Sequence, residues 1–207
     1  MMLRKILINR KLSIWKINNF IFIILPRIFN PKHALSTTTL LRFLKKTFSN
    51  IKYRVIIDYG TGCGVLAIFL AKFNNYVIAI DVNYYALLNT KINAKINRVE
   101  RNVDYVVGDS LRIIRRSAVD YIVSNPPYLP CPIEMCSELC AGSRLEIIQS
   151  LIQEAREVLK CHGRIIFTIS SISYELYRRI IRERSGMDIV LRRITPIDLI
   201  YIIYGKA

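Results

Sequence analysis

The sequence predicts an α/β fold built on a doubly wound, mostly parallel sheet of seven strands, with an antiparallel strand at its C-terminal end. Two observations predict it. Short apolar runs rich in valine, isoleucine and tyrosine alternate with longer helical runs from residue 54 onward, which is typical of strand–helix–strand units. The short runs are apolar throughout rather than alternating with polar residues, as in parallel strands that helices cover on both faces.

The predicted elements follow one another in a regular order. Strands are predicted at residues 54–59, 76–82, 103–108, 118–124, 164–170, 188–193 and 199–204. Helices are predicted at residues 65–73, 84–96, 145–159 and 174–184. Successive parallel strands require right-handed crossovers through a helix, but the last two strands leave no room for one. They are therefore expected to pair antiparallel at one edge of the sheet.

The first fifty residues differ from the rest of the chain. Residues 1–50 are predicted to form a short basic N-terminal extension, interrupted by Pro26 and Pro31 and irregular apart from a helix at residues 40–48. Residues 51–207 are predicted to form a single folded domain, because a chain of 207 residues suffices for one sizeable core.

Composition narrows the range of partners. Lys and Arg number 31 against 15 Asp and Glu, which gives a formal net charge of +16. A field of this sign attracts phosphates, anionic membranes or acidic proteins. An excess this large favours a setting rich in nucleic acid, such as a ribonucleoprotein, over ordinary solvated surface charge. The hydrophobic fraction of 52% excludes a disordered chain.

Cysteine and histidine usage argues against disulfides and metals. The five cysteines are an odd number and no pair has CxxC spacing, so neither a disulfide framework nor a zinc site is predicted, and a reducing compartment fits best. His33 and His162 stand alone, so no metal site is expected. The apolar stretch at residues 17–26 is about half as long as a membrane span and lacks the layout of a signal peptide. We therefore expect no membrane segment and a cytoplasmic protein.

A glycine-rich turn ends the first predicted strand and reads Asp58-Tyr59-Gly60-Thr61-Gly62-Cys63-Gly64. Glycines between a strand and a helix let the backbone approach a ligand closely. Asp81 ends the next strand, about 20 residues beyond the first glycine, where a ribose-binding carboxylate is expected. Asp81 could instead cap the helix that follows it, and one residue can fill both roles.

Two cofactors compete for this turn. A dinucleotide fingerprint spaces its glycines as GxGxxG, whereas this turn has GxGxG and places Asp58 where it would repel a pyrophosphate. S-adenosylmethionine (SAM) has no phosphate, and the ammonium group of its amino-acid tail suits Asp58. Asp109, after the third strand, is placed to accept from the adenine amine, or merely to cap the next turn. We therefore predict SAM, bound by Asp58, Gly60, Thr61, Gly62, Gly64, Asp81, Asp109 and Asn125.

The most specific signal follows the fourth predicted strand, where the chain reads Asn125-Pro126-Pro127-Tyr128. Each proline fixes its own φ and holds the residue before it extended, so the turn is stiff. It presents the Asn125 side-chain oxygen and the Pro126 carbonyl as acceptors for the two hydrogens of an –NH2 group. Tyr128 supplies a flat face for stacking. An ordinary proline-rich turn is the alternative, and its position at a strand end in a ligand-binding fold disfavours it.

These acceptors suit one kind of chemistry. An amide or aromatic amine is a poor nucleophile because its lone pair is delocalised. Acceptors on its hydrogens favour the charge that develops on nitrogen as it attacks a methyl group, and holding nitrogen, carbon and sulfur in line lowers the barrier further. The residues therefore predict methyl transfer from SAM to a planar amino or amide nitrogen, with Asn125, Pro126, Pro127 and Tyr128 as the catalytic residues.

The strings DYGTGCG, AIDVN, GDS and SNPPY, in this order and spacing, resemble the HemK/PrmC group of class I methyltransferases over about residues 54–171. The resemblance implies a Rossmann-like sheet, SAM binding by residues 58–64, Asp81 and Asp109, and substrate binding by residues 125–128. It also implies the substrate, which is the glutamine of the Gly-Gly-Gln motif of a peptide chain release factor.

The chain departs from the bacterial members of that group, whose N-terminal helical domain contacts the release factor. It is more similar to the compact archaeal and eukaryotic members, whose partner is a small zinc-binding activator protein. Those members usually carry an Asp-Thr pair before the first core helix, where this chain has Ser36-Thr37-Thr38-Thr39. A carboxylate contact to cofactor or substrate is therefore expected to be missing.

Two other functions stay open. The Asn-Pro-Pro-Tyr turn is shared with enzymes that methylate the exocyclic amines of adenine and guanine in RNA or DNA, and the charge of +16 favours them. The same charge would suit a contact of the basic surface with RNA or the ribosome. A non-catalytic SAM-binding relative would typically have lost the glycines or Asn125, and this chain has lost neither. Because no separate RNA-binding domain is visible in the sequence, glutamine methylation is the favoured function.

Overall fold

The computed structural model describes residues 11–136, 139–181, 186–194 and 198–207. The strands in these ranges are β1 (Ser13–Ile17), β2 (Phe20–Ile24), β3 (Val55–Tyr59), β4 (Tyr76–Asp81), β5 (Val103–Val107), β6 (Val119–Ser124), β7 (Leu159–Ser170), β8 (Met187–Ile194) and β9 (Leu199–Gly205). The α-helices are α1 (Leu35–Phe48), α2 (Val65–Ala71), α3 (Tyr84–Ile96), α4 (Glu146–Val158) and α5 (Ser171–Ile181). The chain divides into two compact units, the first ending at Asp109 and the second beginning at Ser110.

Seven strands form one sheet, in the order β5-β4-β3-β6-β7-β9-β8. β4 is parallel to both β3 and β5, and β6 is parallel to β7. β9 pairs antiparallel with both β7 and β8. The predicted mostly parallel sheet of seven strands with an antiparallel C-terminal strand is therefore confirmed. Its last two strands pair antiparallel because the segment between them is too short for a crossover helix.

In the first unit, the ends of β3 and β4 lie level with each other, since Tyr59 is opposite Ile80. All seven residues of α2 are buried, and Ile56 and Ile57 of β3 are inaccessible to solvent. This burial on both faces of β3 explains why the run is apolar without alternation. Because the two strand ends lie level, the glycine turn after β3 lies next to Asp81, the last residue of β4.

Residues 13–24 correct the prediction that the N-terminal segment is irregular. β1 and β2 pair antiparallel as a hairpin, and Asn18 in its connection adopts φ of 49°. Asparagine occupies this left-handed region more readily than most residues. The helix predicted at residues 40–48 begins earlier, at Leu35. A domain boundary after residue 50 stays a prediction, and residues 1–10 lie outside the described residues.

Three asparagine side chains hydrogen-bond to the backbone of β2 on the side that faces away from β1. We call these residues, Asn89, Asn93 and Asn97, the asparagine ladder. These residues recur every four positions and therefore share one face of α3 and its end. Asn93 accepts from the Ile23 N–H at 2.8 Å and donates to the Ile23 carbonyl at 2.7 Å. Asn97 makes the same pair of bonds with Ile21, at 3.1 and 2.7 Å. Asn89 accepts from the N–H of residue 25 at 2.9 Å. The three amides thus take the place of a neighbouring strand.

In the second unit, β7 begins at Leu159, directly after α4 and well before the predicted start at residue 164. The first residues of β7 are not an apolar run, because residues 160–162 are exposed, and the sequence therefore gave no strand signal there. Lys160 pairs with Asp120 at 3.0 Å. α5 begins at Ser171 rather than at residue 174. The predicted end of that helix, residues 182–184, lies outside the described residues.

Cys131 and Cys140 form a disulfide, with their Cα atoms 5.0 Å apart, so the prediction of no disulfide was wrong. The spacing gave no signal because the loop itself brings the two residues together, through the bond from the Leu129 N–H to the Leu139 carbonyl at 3.0 Å. Within the described ranges, no helix is both long and apolar enough to cross a membrane.

Candidate functional site

The glycine turn between β3 and α2 adopts a backbone conformation that is unfavourable for residues with a side chain. Gly60, Gly62 and Gly64 have φ of +71°, +58° and +83°, in the left-handed region that favours glycine. A Cβ atom added at Gly60 or Gly62 would meet nothing within 4 Å, so open space lies against both residues. At Gly64 the same atom would lie 2.6 Å from Thr90 Cγ2, because α3 packs closely there. The turn therefore combines room for a ligand on one side with tight packing on another.

Asp58 anchors this turn from inside the protein. Its Oδ2 accepts from the Thr61 hydroxyl at 2.7 Å and from the Ala67 N–H at 2.9 Å. Its Oδ1 is buried and has no hydrogen-bond partner among the described residues. Burial raises the pKa of Asp58 to about 7, although both hydrogen bonds act in the opposite direction. An unpartnered buried carboxylate oxygen is unfavourable by itself, and it fits the ammonium group of an amino-acid tail.

Asp81, at the end of β4, contacts the turn directly. Its Oδ2 accepts from the Gly62 N–H at 2.8 Å, and its Oδ1 accepts from the Asn83 N–H at 2.9 Å. A carboxylate has about four acceptor positions, so each oxygen can accept one more bond, as two ribose hydroxyls require. Burial raises the pKa of Asp81. The alternative role as a helix cap was wrong, because Asn83 caps α3 by accepting from the Tyr85 N–H at 2.9 Å.

Asp109 lies at the end of the same unit with an exposed side chain. Its carbonyl accepts from the Tyr59 hydroxyl at 2.6 Å, which ties it to the end of β3. Its alternative role as a cap is filled by Ser110 instead, whose hydroxyl accepts from the Arg112 N–H at 3.1 Å at the start of a 3-10 turn. The Asp109 carboxylate is therefore not occupied by capping and suits the adenine amine.

The Asn-Pro-Pro-Tyr turn follows β6 in the second unit. Pro126 is buried, whereas Asn125, Pro127 and Tyr128 are half-buried. Ser124 lies opposite Phe167 in the β6–β7 register, so the next pair is Asn125 and Thr168. The Thr168 hydroxyl donates to Asn125 Oδ1 at 2.5 Å. This bond fixes the orientation of the Asn125 side-chain amide.

Thr168 and the residues that support the glycine turn were missed from the sequence. Thr168 is buried within an apolar strand, and a hydroxyl in such a run is the signal that could have marked it. Thr90 donates to the Gly62 carbonyl at 3.1 Å, and Asn93 donates to the Cys63 carbonyl at 2.9 Å. Asn93 thus bonds both the hairpin and the glycine turn. The recurrence of asparagine every four residues in α3 was the available sign.

Residues 19–186 match the methyltransferase small domain family. The chain belongs to this family. Its cofactor is SAM, as predicted from the glycine turn. The turn fits that cofactor through the unpartnered oxygen of Asp58 and the open space against Gly60 and Gly62.

Three similar proteins are informative. The release factor glutamine methyltransferase of Enterococcus faecalis is 32% identical over 128 residues, which are 55% of this chain and 46% of that protein. The E. cuniculi Mtq2–Trm112 complex, responsible for methylation of the eRF1 translation termination factor, has a TM-score of 0.64 at 25% identity, covering 83% of this chain and 94% of that chain. The T. thermophilus 16S rRNA methyltransferase RsmC, solved with AdoMet and guanosine, has a TM-score of 0.72 at 19% identity. The match covers 94% of this chain and 50% of that chain. At that identity, the last likeness shows the fold alone. The chain spans about half the length of the curated relatives it matches.

Proposed function

We propose that this chain transfers a methyl group from SAM to the side-chain amide nitrogen of a glutamine, in the Gly-Gly-Gln motif of a peptide chain release factor. The observation that carries the proposal is the Asn125 amide oxygen, which Thr168 orients within a proline-stiffened turn. A fixed acceptor of this kind is suited to an –NH2 group, whose hydrogens need acceptors before its nitrogen can act as a nucleophile.

Each predicted residue has a role in this reaction. When bound, SAM supplies a methyl group on a positively charged sulfur. Asp58 binds the ammonium group, Asp81 binds the ribose hydroxyls and Asp109 binds the adenine amine. Asn125 Oδ1 and the Pro126 carbonyl accept the two amide hydrogens, Pro127 holds Pro126 extended, and Tyr128 stacks on the amide plane. With SAM held by these residues, the amide nitrogen would take the methyl group from the sulfur and would then lose one proton to water.

Two of the similar proteins support this substrate, while others among them are ribosomal protein L11 and RNA methyltransferases. The E. faecalis relative is named for release factor glutamine methylation, and the E. cuniculi complex for methylation of eRF1. By the resemblance of this chain to the compact members, we propose a small zinc-binding activator as a second partner and the cytoplasm as its location. The charge of +16 would also favour a contact with the ribosome.

The test is mass spectrometry of purified release factor after incubation with the enzyme and SAM, with and without the zinc-binding activator. We expect the mass of one methyl group on the Gly-Gly-Gln glutamine, and no such addition with Asn125→Ala. Parallel incubations contain total RNA and DNA with labelled SAM. Strong label on a base, with none on release factor, would contradict the proposal.

The second candidate is methylation of an exocyclic amine of adenine or guanine in RNA or DNA. The net charge favours it, because a field of +16 attracts a phosphate backbone. The Asn125 and Pro126 acceptors fit a base amine as well as they fit an amide. The parallel incubations separate the two candidates.

A further inference from the structure

A cavity of about 410 Å³ lies in the first unit, away from the glycine turn. It is lined by residues of the β1–β2 connection and of the C-terminal parts of α1, α2 and α3. Lys72 and Phe73 on its wall follow the last residue of α2, whereas Gly64 precedes the first. One length of α2, about 10 Å, therefore separates them from the cofactor turn. Its volume falls within the range of roughly 300–1,000 Å³ that ligand-binding pockets occupy.

Three cations line this cavity, which are Lys45 of α1, Lys72 after α2 and Arg98 after α3. All three side chains are exposed, and within the described residues none has a carboxylate within 4.0 Å. Each lies near the C-terminus of a helix, whose dipole contributes about −0.5 of a charge. Such a partial charge offsets each cation only in part, so the cavity attracts anions.

Aromatic rings lie beside these cations. Phe20 and Phe73 are half-buried on the cavity wall, and Phe69 between them is buried. The Phe69 ring centroid is 5.8 Å from that of Phe20 and 5.1 Å from that of Phe73. Packing against Phe69 fixes the two outer rings, which makes them stable platforms for a flat ligand.

We propose that this cavity binds one nucleotide of a single-stranded RNA, with its phosphate on Lys45, Lys72 and Arg98 and its base on Phe20 or Phe73. Cations beside half-exposed aromatic rings are the combination by which proteins bind single-stranded nucleic acid, since every base has a face that can stack. A duplex does not fit as well, because its base faces are already stacked. The choice of RNA over DNA rests on the proposed function in translation, whereas the site itself does not.

The experiment measures fluorescence anisotropy of a labelled single-stranded RNA of about ten nucleotides with the full chain, between about 50 and 200 mM salt. Combined Lys45→Met, Lys72→Met and Arg98→Met substitutions should weaken binding at least about tenfold and lower the salt slope by about 0.7 for each lost phosphate contact. The matched control combines Lys52→Met, Lys91→Met and Arg101→Met, which remove three exposed cations that do not line the cavity. It should bind nearly as the unmodified chain does.

Aromatic variants test the stacking. Phe73→Leu, and separately Phe20→Leu in case one variant fails to fold, should weaken binding about tenfold without changing the salt slope. Equal losses in the cavity variant and the control would overturn the site, because they indicate a diffuse field. Unchanged affinity in both leucine variants, or tighter binding of free AMP than of the RNA, would overturn the stacking of a strand. Tighter binding of DNA of the same sequence would overturn the choice of RNA. None of these measurements uses release factor, so failure here is distinct from failure of the proposed function.

Discussion

The glycine turn and the Asn-Pro-Pro-Tyr turn achieve rigidity by opposite means. The first uses residues that adopt positive φ, and the turn is then held by hydrogen bonds to Asp58, Asp81, Thr90 and Asn93. The second uses prolines that restrict the chain by themselves, with Thr168 orienting the side chain of Asn125. A site with many supports should lose affinity gradually when single residues change. A site with few supports should lose function abruptly.

The largest expected effect concerns Asn125. Asn125→Ala removes the acceptor that we propose stabilises the developing charge on nitrogen, so turnover should fall about 100-fold or more. SAM affinity should change little, because the many bonds of the glycine turn remain. Single-turnover kinetics and calorimetry on the same preparation separate the two quantities. Full activity of this variant on the true substrate would falsify the role given to Asn125.

A smaller effect is expected at Asp81, in the glycine turn. Asp81→Ala removes the acceptor of the Gly62 N–H, which is also the acceptor proposed for the ribose hydroxyls. SAM affinity should fall by about 1.5–3 kcal/mol, as when a hydrogen bond to a charged group is lost. Calorimetry with SAM and S-adenosylhomocysteine measures this loss, and Asp104→Ala, an exposed acid on β5, is the matched control. If NAD binds and SAM does not, the assignment of the turn is wrong.

Thr168 should have a smaller effect still. Thr168→Val keeps the shape of the side chain but removes the donor to Asn125, a loss of about 0.5–1.5 kcal/mol in orientation. Turnover should fall roughly three- to tenfold with unchanged SAM affinity. Thr168→Ser restores the hydroxyl and should recover most of the activity. A valine variant as active as the original chain would show that Asn125 does not depend on this bond.

The smallest effect is the pH dependence of Asp58. A nearby ammonium group favours the ionised carboxylate, so SAM binding should release part of a proton just below the raised pKa of about 7. Calorimetry in buffers with different ionisation enthalpies counts the protons released. Asp58→Asn should abolish the release, and equal release from both proteins would place its source elsewhere.

The same pKa sets a trend in stability without cofactor. Between the ordinary value of 3.8 and about 7, the folded state holds the Asp58 proton more tightly than the unfolded state does. The contribution of Asp58 to the free energy of unfolding therefore falls as pH rises through that window. Urea unfolding at several pH values should show a shallower fall in Asp58→Asn than in the unmodified chain.

The sequence predicted the sheet well because buried parallel strands leave long apolar runs, and helix α3 matches its predicted bounds of 84–96. It predicted the glycine turn because positive φ selects glycine. It failed where partners are distant along the chain. The bond between Asn125 and Thr168 spans 43 residues, and the bond between Ile23 and Asn93 spans 70. The spacing of residues along the chain does not predict such pairings. The Cys131–Cys140 disulfide likewise depends on the conformation of the loop, which no sequence motif predicts.

The asparagine ladder also protects the molecule from association. The exposed backbone of an edge strand is a template on which another chain can pair and aggregate. Asn89, Asn93 and Asn97 occupy that backbone along β2, and Asn89 and Asn93 are themselves inaccessible to solvent. A shortened chain that starts after residue 50 would remove the backbone partners of these amides and would uncover Phe69, whose ring packs against Phe20. Such a chain should fold poorly and aggregate, although the segment that it lacks contains none of the residues proposed to bind SAM.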